Sequence, residues 1–118
     1  MPNNISWNVQ MYVREGRLGD ARELMTEMVA GTRQEPGTIG YEWFMSGDGK
    51  TCHTNERYAD SQAVLVHLGN FGSRYAERFL ACFEPTSLSV YGEPSAEVRA
   101  GLDGFGAAYL GRLGGFTR

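Results

Sequence analysis

Tyr41–Tyr58 reads YEWFMSGDGKTCHTNERY, and this stretch decides the fold. Residues 38–45 and 51–58 read as two strands, with Ser-Gly-Asp-Gly-Lys between them as a turn, because glycine and aspartate tolerate the dihedrals a short loop demands. Each strand carries an acid, Glu42 and Glu56, and the second also holds His53, one of two histidines in the chain. The hairpin is therefore either a plain sheet edge or the floor of a reaction site.

Upstream, residues 5–13 read ISWNVQMYV. Ile5, Trp7, Val9, Met11 and Val13 alternate with Ser6, Asn8, Gln10 and Tyr12, a period of two that marks a strand with one dry face. From Leu18 the period becomes helical through Ala21, Leu24, Met25, Met28 and Val29. Pro36 and Gly37 stop that helix near Gln34.

Downstream of the hairpin, Asp60 or Ser61 can cap a second helix that presents Val64, His67 and Leu68 on one side. Gly69, Asn70 and Gly72 predict a break or bend. Helical spacing resumes through Phe71, Tyr75, Phe79, Cys82 and Phe83 and ends before Pro85. Residues 87–92 read as a last strand. Ser95 then caps a third helix with a stripe at Val98, Leu102, Phe105 and Tyr109, and the glycine-rich tail 110–118 is not helical. The order β-α-β-β-α-β plus a helix is the split arrangement of ferredoxin-like α+β folds. It predicts a four-stranded antiparallel sheet with helices on one face, in one domain spanning 1–118 with 95–118 as a helical extension. The other face, read as apolar and bare, predicts a homodimer.

The chain has 118 residues, 42% hydrophobic and 21% charged, a globular composition. Eleven scattered basic residues and a net charge of −3 give no basic stripe for nucleic acid. No apolar run approaches membrane-spanning length, and the first residues do not read as a signal peptide. The expectation is a cytoplasmic protein with Cys52 and Cys82 as reduced thiols. Neither the histidines nor the cysteines show ligand spacing such as HxH or CxxC, so no metal site is expected. The Gly-Asp-Gly at 47–49 lacks the pattern of a phosphate loop.

Residues 35–68 carry a resemblance. E-P-G-T at 35–38, Y-E-W at 41–43, E-R-Y-A-D-S at 56–61 and A-V-L-V-H-L at 63–68 together resemble the antibiotic biosynthesis monooxygenase (ABM) superfamily of small dimeric α+β barrels, which includes quinol monooxygenases. The resemblance implies cofactor-independent oxygenation of an aromatic quinol or polyphenol by molecular oxygen. Ionisation makes such a substrate electron-rich enough to reduce oxygen directly. The protein then needs a dry pocket, a proton acceptor and donors for the developing oxyanion. Relatives that degrade haem carry a histidine shortly after the position of His67. The stretch NFGSRYAERF at 70–79 has none, which argues against haem.

Within that frame His67 is the candidate base, since a histidine can take a phenolic proton near neutral pH. Its plainer role is a buried histidine holding helix to sheet. Glu56, a position that relatives also fill with Glu, is the candidate to orient it, as a carboxylate does in a triad. Glu42 and Glu56, roughly across from each other, can instead both pair with Arg57, Lys50 or Arg74 at the rim. Asn8, nearest match to a functional Asn that some relatives place on the first strand, and Gln10 are candidates to hold the substrate oxygen. Trp43, Tyr41, Tyr58, Phe71 and Tyr75 are candidate walls for a flat ligand, although aromatics in such elements also serve simply as core. His53 falls on the opposite strand face from Glu56. Two other functions fit the same pocket: a non-catalytic ligand-binding or dimerisation module, and an isomerase of a small signal molecule.

Overall fold

The hairpin forms as read, β2 over Thr38–Met45 and β3 over Thr51–Tyr58. Its turn is closed by Asp48, whose carboxylate accepts from the Ser46 hydroxyl at 2.7 Å and the Lys50 amide at 3.0 Å. Gly49 supplies the one left-handed residue there, with φ 73°. The structure, a computed structural model, describes residues 3–118.

β1 (Ile5–Val13) lies beside β3 with Trp7 opposite Glu56, and β2 flanks β3 with Tyr41 opposite Glu56. On the other side of β1 runs β4 (Phe83–Tyr91). These four strands are antiparallel in the order β2-β3-β1-β4, the expected ferredoxin-like core. A fifth strand, β5 (Ala108–Leu110), pairs parallel to β4, so the sheet is five-stranded and mixed.

The helices α1 (Leu18–Thr32), α2 (Ser61–Arg74), α3 (Ala76–Cys82) and α4 (Ala96–Leu102) follow the sequence reading in part. Asp60 caps α2 through the Ala63 amide, and Ser95 caps α4 through the Val98 amide. The expected break at Gly69–Gly72 does not occur. Gly69 and Gly72 have nothing packed where a Cβ would stand, and the docking of Val64, His67 and Phe71 outweighs about 1 kcal/mol per glycine. The break comes at Tyr75 instead.

Three further expectations need correction. β4 starts at Phe83 rather than after Pro85, and Pro85 is tolerated because the register shifts there, a bulge that leaves Thr86 unpaired against β1. α4 stops at Leu102 and passes into a 3-10 turn at Asp103–Phe105 that ends on left-handed Gly106, so Tyr109 belongs to β5 and not to a helix. The face of the sheet away from the helices is not apolar: Asn8, Gln10, His53, Asn55 and Arg57 occupy its middle, with exposed Tyr12, Phe44 and Tyr91 near its margins.

The core lies wholly between the sheet and the helices, in two buried clusters. Ile5, Trp7, Tyr58, Val64, Val90 and Val98 anchor one, and Met11, Leu24, Met28, Cys52, Phe79 and Phe83 the other. Cys52 and Cys82 are both buried free thiols, each pushed up by that burial. The clusters meet around a cavity.

Candidate active site

The cavity measures about 210 Å³. Trp7, Val9 and Met11 of β1, Tyr41 and Trp43 of β2, and Thr54 and Glu56 of β3 form its floor. Met28, His67, Leu68, Phe71 and Phe79 cover it from the helices, and Pro85–Leu88, Leu102, Phe105 and Gly106 close one end. Most of these side chains are apolar or aromatic. The titratable side chains, Tyr41, Glu56 and His67, converge at one place.

α2 brings His67 inward because it shares a helical face with buried Val64, as the spacing predicts. Its Nδ1 stands 2.9 Å from Glu35 Oε1, and its Nε2 stands 3.5 Å from Glu56 Oε1. All three side chains are buried. A carboxylate only accepts hydrogen bonds, so the Glu35 contact requires the proton on Nδ1. In the neutral ring Nε2 is then the lone-pair nitrogen.

Glu35 is fully engaged. Oε1 also accepts from the Thr38 hydroxyl at 2.9 Å, and Oε2 accepts from the Asn70 amide at 3.0 Å. Burial pushes its carboxyl up, but the bonds from His67, Asn70 and Thr38 outweigh this and hold it below the ordinary glutamate value. Glu56 is equally well served from its own strand face. Thr54 donates to Oε2 at 2.7 Å and Tyr58 donates to Oε1 at 2.5 Å. The three residues are two apart, which is why they share a face. Burial, then the nearby Glu56 charge, pushes the Tyr58 and Tyr41 phenols well up, so both remain protonated donors.

Aromatic rings surround the imidazole. Tyr58, Tyr41 and Trp7 lie with ring centroids 5.1, 5.5 and 6.4 Å from it. Trp43 Nε1 is buried and makes no hydrogen bond among the described residues, and its ring meets Tyr41 edge-on at 6.3 Å.

The structure thus brings together His67, Glu56, Trp43 and Phe71 at one cavity. Tyr58 stands behind Glu56 rather than in the cavity wall, and Tyr75 packs over Gly31 of α1, whose missing Cβ makes room for its hydroxyl. Asn8 and Gln10 are on the opposite face of the sheet, where Gln10 donates to Asn8 and Asn8 to Asn55. They cannot reach a ligand beside His67, because Trp7 and Met11 take the helix-facing positions of β1. Glu42 pairs with Asn55 and is exposed, so it and Glu56 point to opposite faces. The shorter carboxylate contact to the imidazole comes from Glu35, which composition and spacing did not single out, while Glu56 stands at the other ring nitrogen.

The sequence matches the family model described as Antibiotic biosynthesis monooxygenase over residues 5–84. No curated protein matches it. Among solved structures, MupZ from Pseudomonas fluorescens superposes with a TM-score of 0.86 at 21% identity, over 98% of this chain and 95% of that one. SnoaB from Streptomyces nogalater, a cofactor-independent oxygenase, gives a TM-score of 0.66 at 12% identity, over 80% of this chain and 96% of that one. A protein of unknown function from Bacteroides thetaiotaomicron, described as a possible oxidoreductase, gives 0.68 at 21%, over 79% of this chain and 100% of that one. Likenesses at these identities show a shared fold. The family match is different in kind: it runs from the first residue of β1 into β4 and takes in Glu35, Glu56 and His67, and on that ground the chain belongs to the antibiotic biosynthesis monooxygenase family.

Proposed function

We propose that the protein oxygenates a small aromatic quinol or phenol with molecular oxygen, without a cofactor. The observation that carries this reading is a buried histidine fixed through Nδ1 by a buried carboxylate, beside a cavity of mainly aromatic and aliphatic walls. A substrate hydroxyl at Nε2 gives up its proton there. The phenolate then supplies the electrons that reduce oxygen. For a quinol the balance closes without a co-reactant: quinol and O2 give a hydroxyquinone and water. Trp43 and Phe71 hold the ring. An empty cavity of ~150 Å³ accommodates benzene, so about 210 Å³ suits one or two fused rings.

Oxygen consumption by metal-free protein, measured with ¹⁸O2 against a panel of one- and two-ring quinols and naphthols, tests this. The expected outcome is catalysed uptake with one labelled atom in the organic product and one in water. Uptake no faster than the spontaneous rate would remove the oxygenase reading.

One observation favours a second reading. Glu56 and His67 Nε2, 3.5 Å apart, are two proton carriers at one cavity, which suits isomerisation by removing a proton at one carbon and returning it at another. Solvent deuterium entering a recovered hydroxycarbonyl compound, with no oxygen consumed, would select it.

A further inference from the structure

The cavity has two differently built ends. The polar end at His67, Glu56 and Tyr41 belongs to the family-matched residues 5–84. The other end is built by residues beyond that match: the β4 bulge at Pro85–Ser87, with Leu88, Leu102 and Phe105. None of those side chains titrates, so that end receives an uncharged part of a ligand.

Phe105 occupies a distinctive place there. It lines the cavity yet remains 46% exposed, so it stands at the rim with one side toward the interior and one toward solvent. The segment is anchored on both sides of it. Before it, Val98 and Leu102 are buried in the core. After it, β5 pairs with β4, and the Tyr109 hydroxyl donates to Asp103 at 2.6 Å while the Arg99 guanidinium lies 4.4 Å over the Tyr109 ring. Between these anchors Phe105 is flanked by Gly104 and Gly106, and nothing packs within 4 Å of where a Cβ would stand on either. The backbone of the turn is fixed at its ends and unencumbered at its tip.

We propose that Phe105 is the specificity-determining residue of the site, setting how long a substituent the ring bound at His67 can carry. The ligand class is a hydroxylated aromatic head with an uncharged alkyl or acyl substituent that runs along the Leu88–Leu102 wall and ends against the Phe105 ring. This rests on the reading of the cavity as the substrate site, but not on oxygen chemistry.

Calorimetric titration with a series of 4-alkylphenols, from ethyl to octyl, tests it on the wild type, Phe105→Ala and Phe105→Trp. Wild-type affinity should rise about fourfold for each methylene buried and then stop rising at a definite chain length. Phe105→Ala should move that stop at least two methylenes longer and bind the phenol one methylene beyond the wild-type stop about fourfold more tightly, with 4-ethylphenol unchanged within about twofold. Phe105→Trp should move the stop to a shorter chain. Melting temperatures near the wild type are expected for both, because the side chain is half exposed. Any result other than opposite shifts in the two variants, including no binding of any alkylphenol by the wild type, overturns the assignment. These affinities are read without oxygen, so a failed oxygenase reading and a failed Phe105 assignment give different results.

Discussion

His67→Ala should lower catalysed oxygen uptake by about 10²–10⁴-fold, the range for loss of a positioned general base. The loss should fall on kcat more than on KM, because Trp43, Phe71, Leu68 and Met28 still hold the ring when the imidazole is gone. Added imidazole should restore part of the rate by occupying the space left beside Glu35. That rescue separates catalysis from structure, since a merely misfolded variant gains nothing from a free base. Wild-type uptake in this variant would end the assignment of His67 as the proton acceptor.

Glu35→Ala should be the most damaging substitution to the fold. It removes the acceptor for His67 Nδ1, the Asn70 amide and the Thr38 hydroxyl together. Breaking a buried, hydrogen-bonded pair from one side costs about 3–5 kcal/mol, a large share of the ~5–15 kcal/mol that holds a domain together. The melting temperature should fall on the order of 10–20 °C.

Glu35→Gln separates charge from shape. Its one carbonyl oxygen can still take Nδ1, and Asn70 can turn its own amide oxygen toward the new NH2, so most of the stability should survive. What changes is the acid limb. The Glu35 carboxyl is held below its ordinary value of 4.5, so the folded state binds its proton less readily than the unfolded chain. Its contribution is therefore complete above about pH 4.5 and is lost as pH falls through the lower folded value. Chemical denaturation at a series of pH values should show Glu35→Gln losing less stability than the wild type below that point. Parallel curves would mean that Glu35 carries no such linkage.

The sequence made the sheet legible where periodicity and turn chemistry agreed. β1, β2 and β3 fall where alternation and Ser-Gly-Asp-Gly place them. The C-terminal segment misled for a physical reason. Val98, Leu102, Phe105 and Tyr109 keep helical spacing, but Gly101, Gly104 and Gly106 let the chain leave the helix and add Tyr109 to the sheet edge. A three-residue strand is too short to show its own period.

In the candidate site, His67 was legible from helical spacing and Glu56 from the resemblance to relatives that carry Glu at that position. Glu35 was not. It lies 32 positions before His67, just past the end of α1, and only folding brings it near. The available signal was an acid directly before Pro36-Gly37, with Thr38 three residues on as a local donor. Asn8 and Gln10 show the reverse error. Their polarity suggested a ligand, whereas alternation with buried Trp7 and Met11 already set them on the face away from His67.

The central claim is that Glu35 fixes the imidazole of His67 so that Nε2 is the free base. A long-range ¹H–¹⁵N correlation spectrum of the histidine rings tests it without any substrate, at a pH where the His67 ring is neutral. The expected spectrum shows Nδ1 as the protonated nitrogen and Nε2 as the unprotonated one, a pattern Glu35→Gln should retain because its carbonyl oxygen still takes the Nδ1 proton. A proton on Nε2 in the wild type would mean that the nitrogen meant to accept the substrate's proton is already occupied, and would contradict the account.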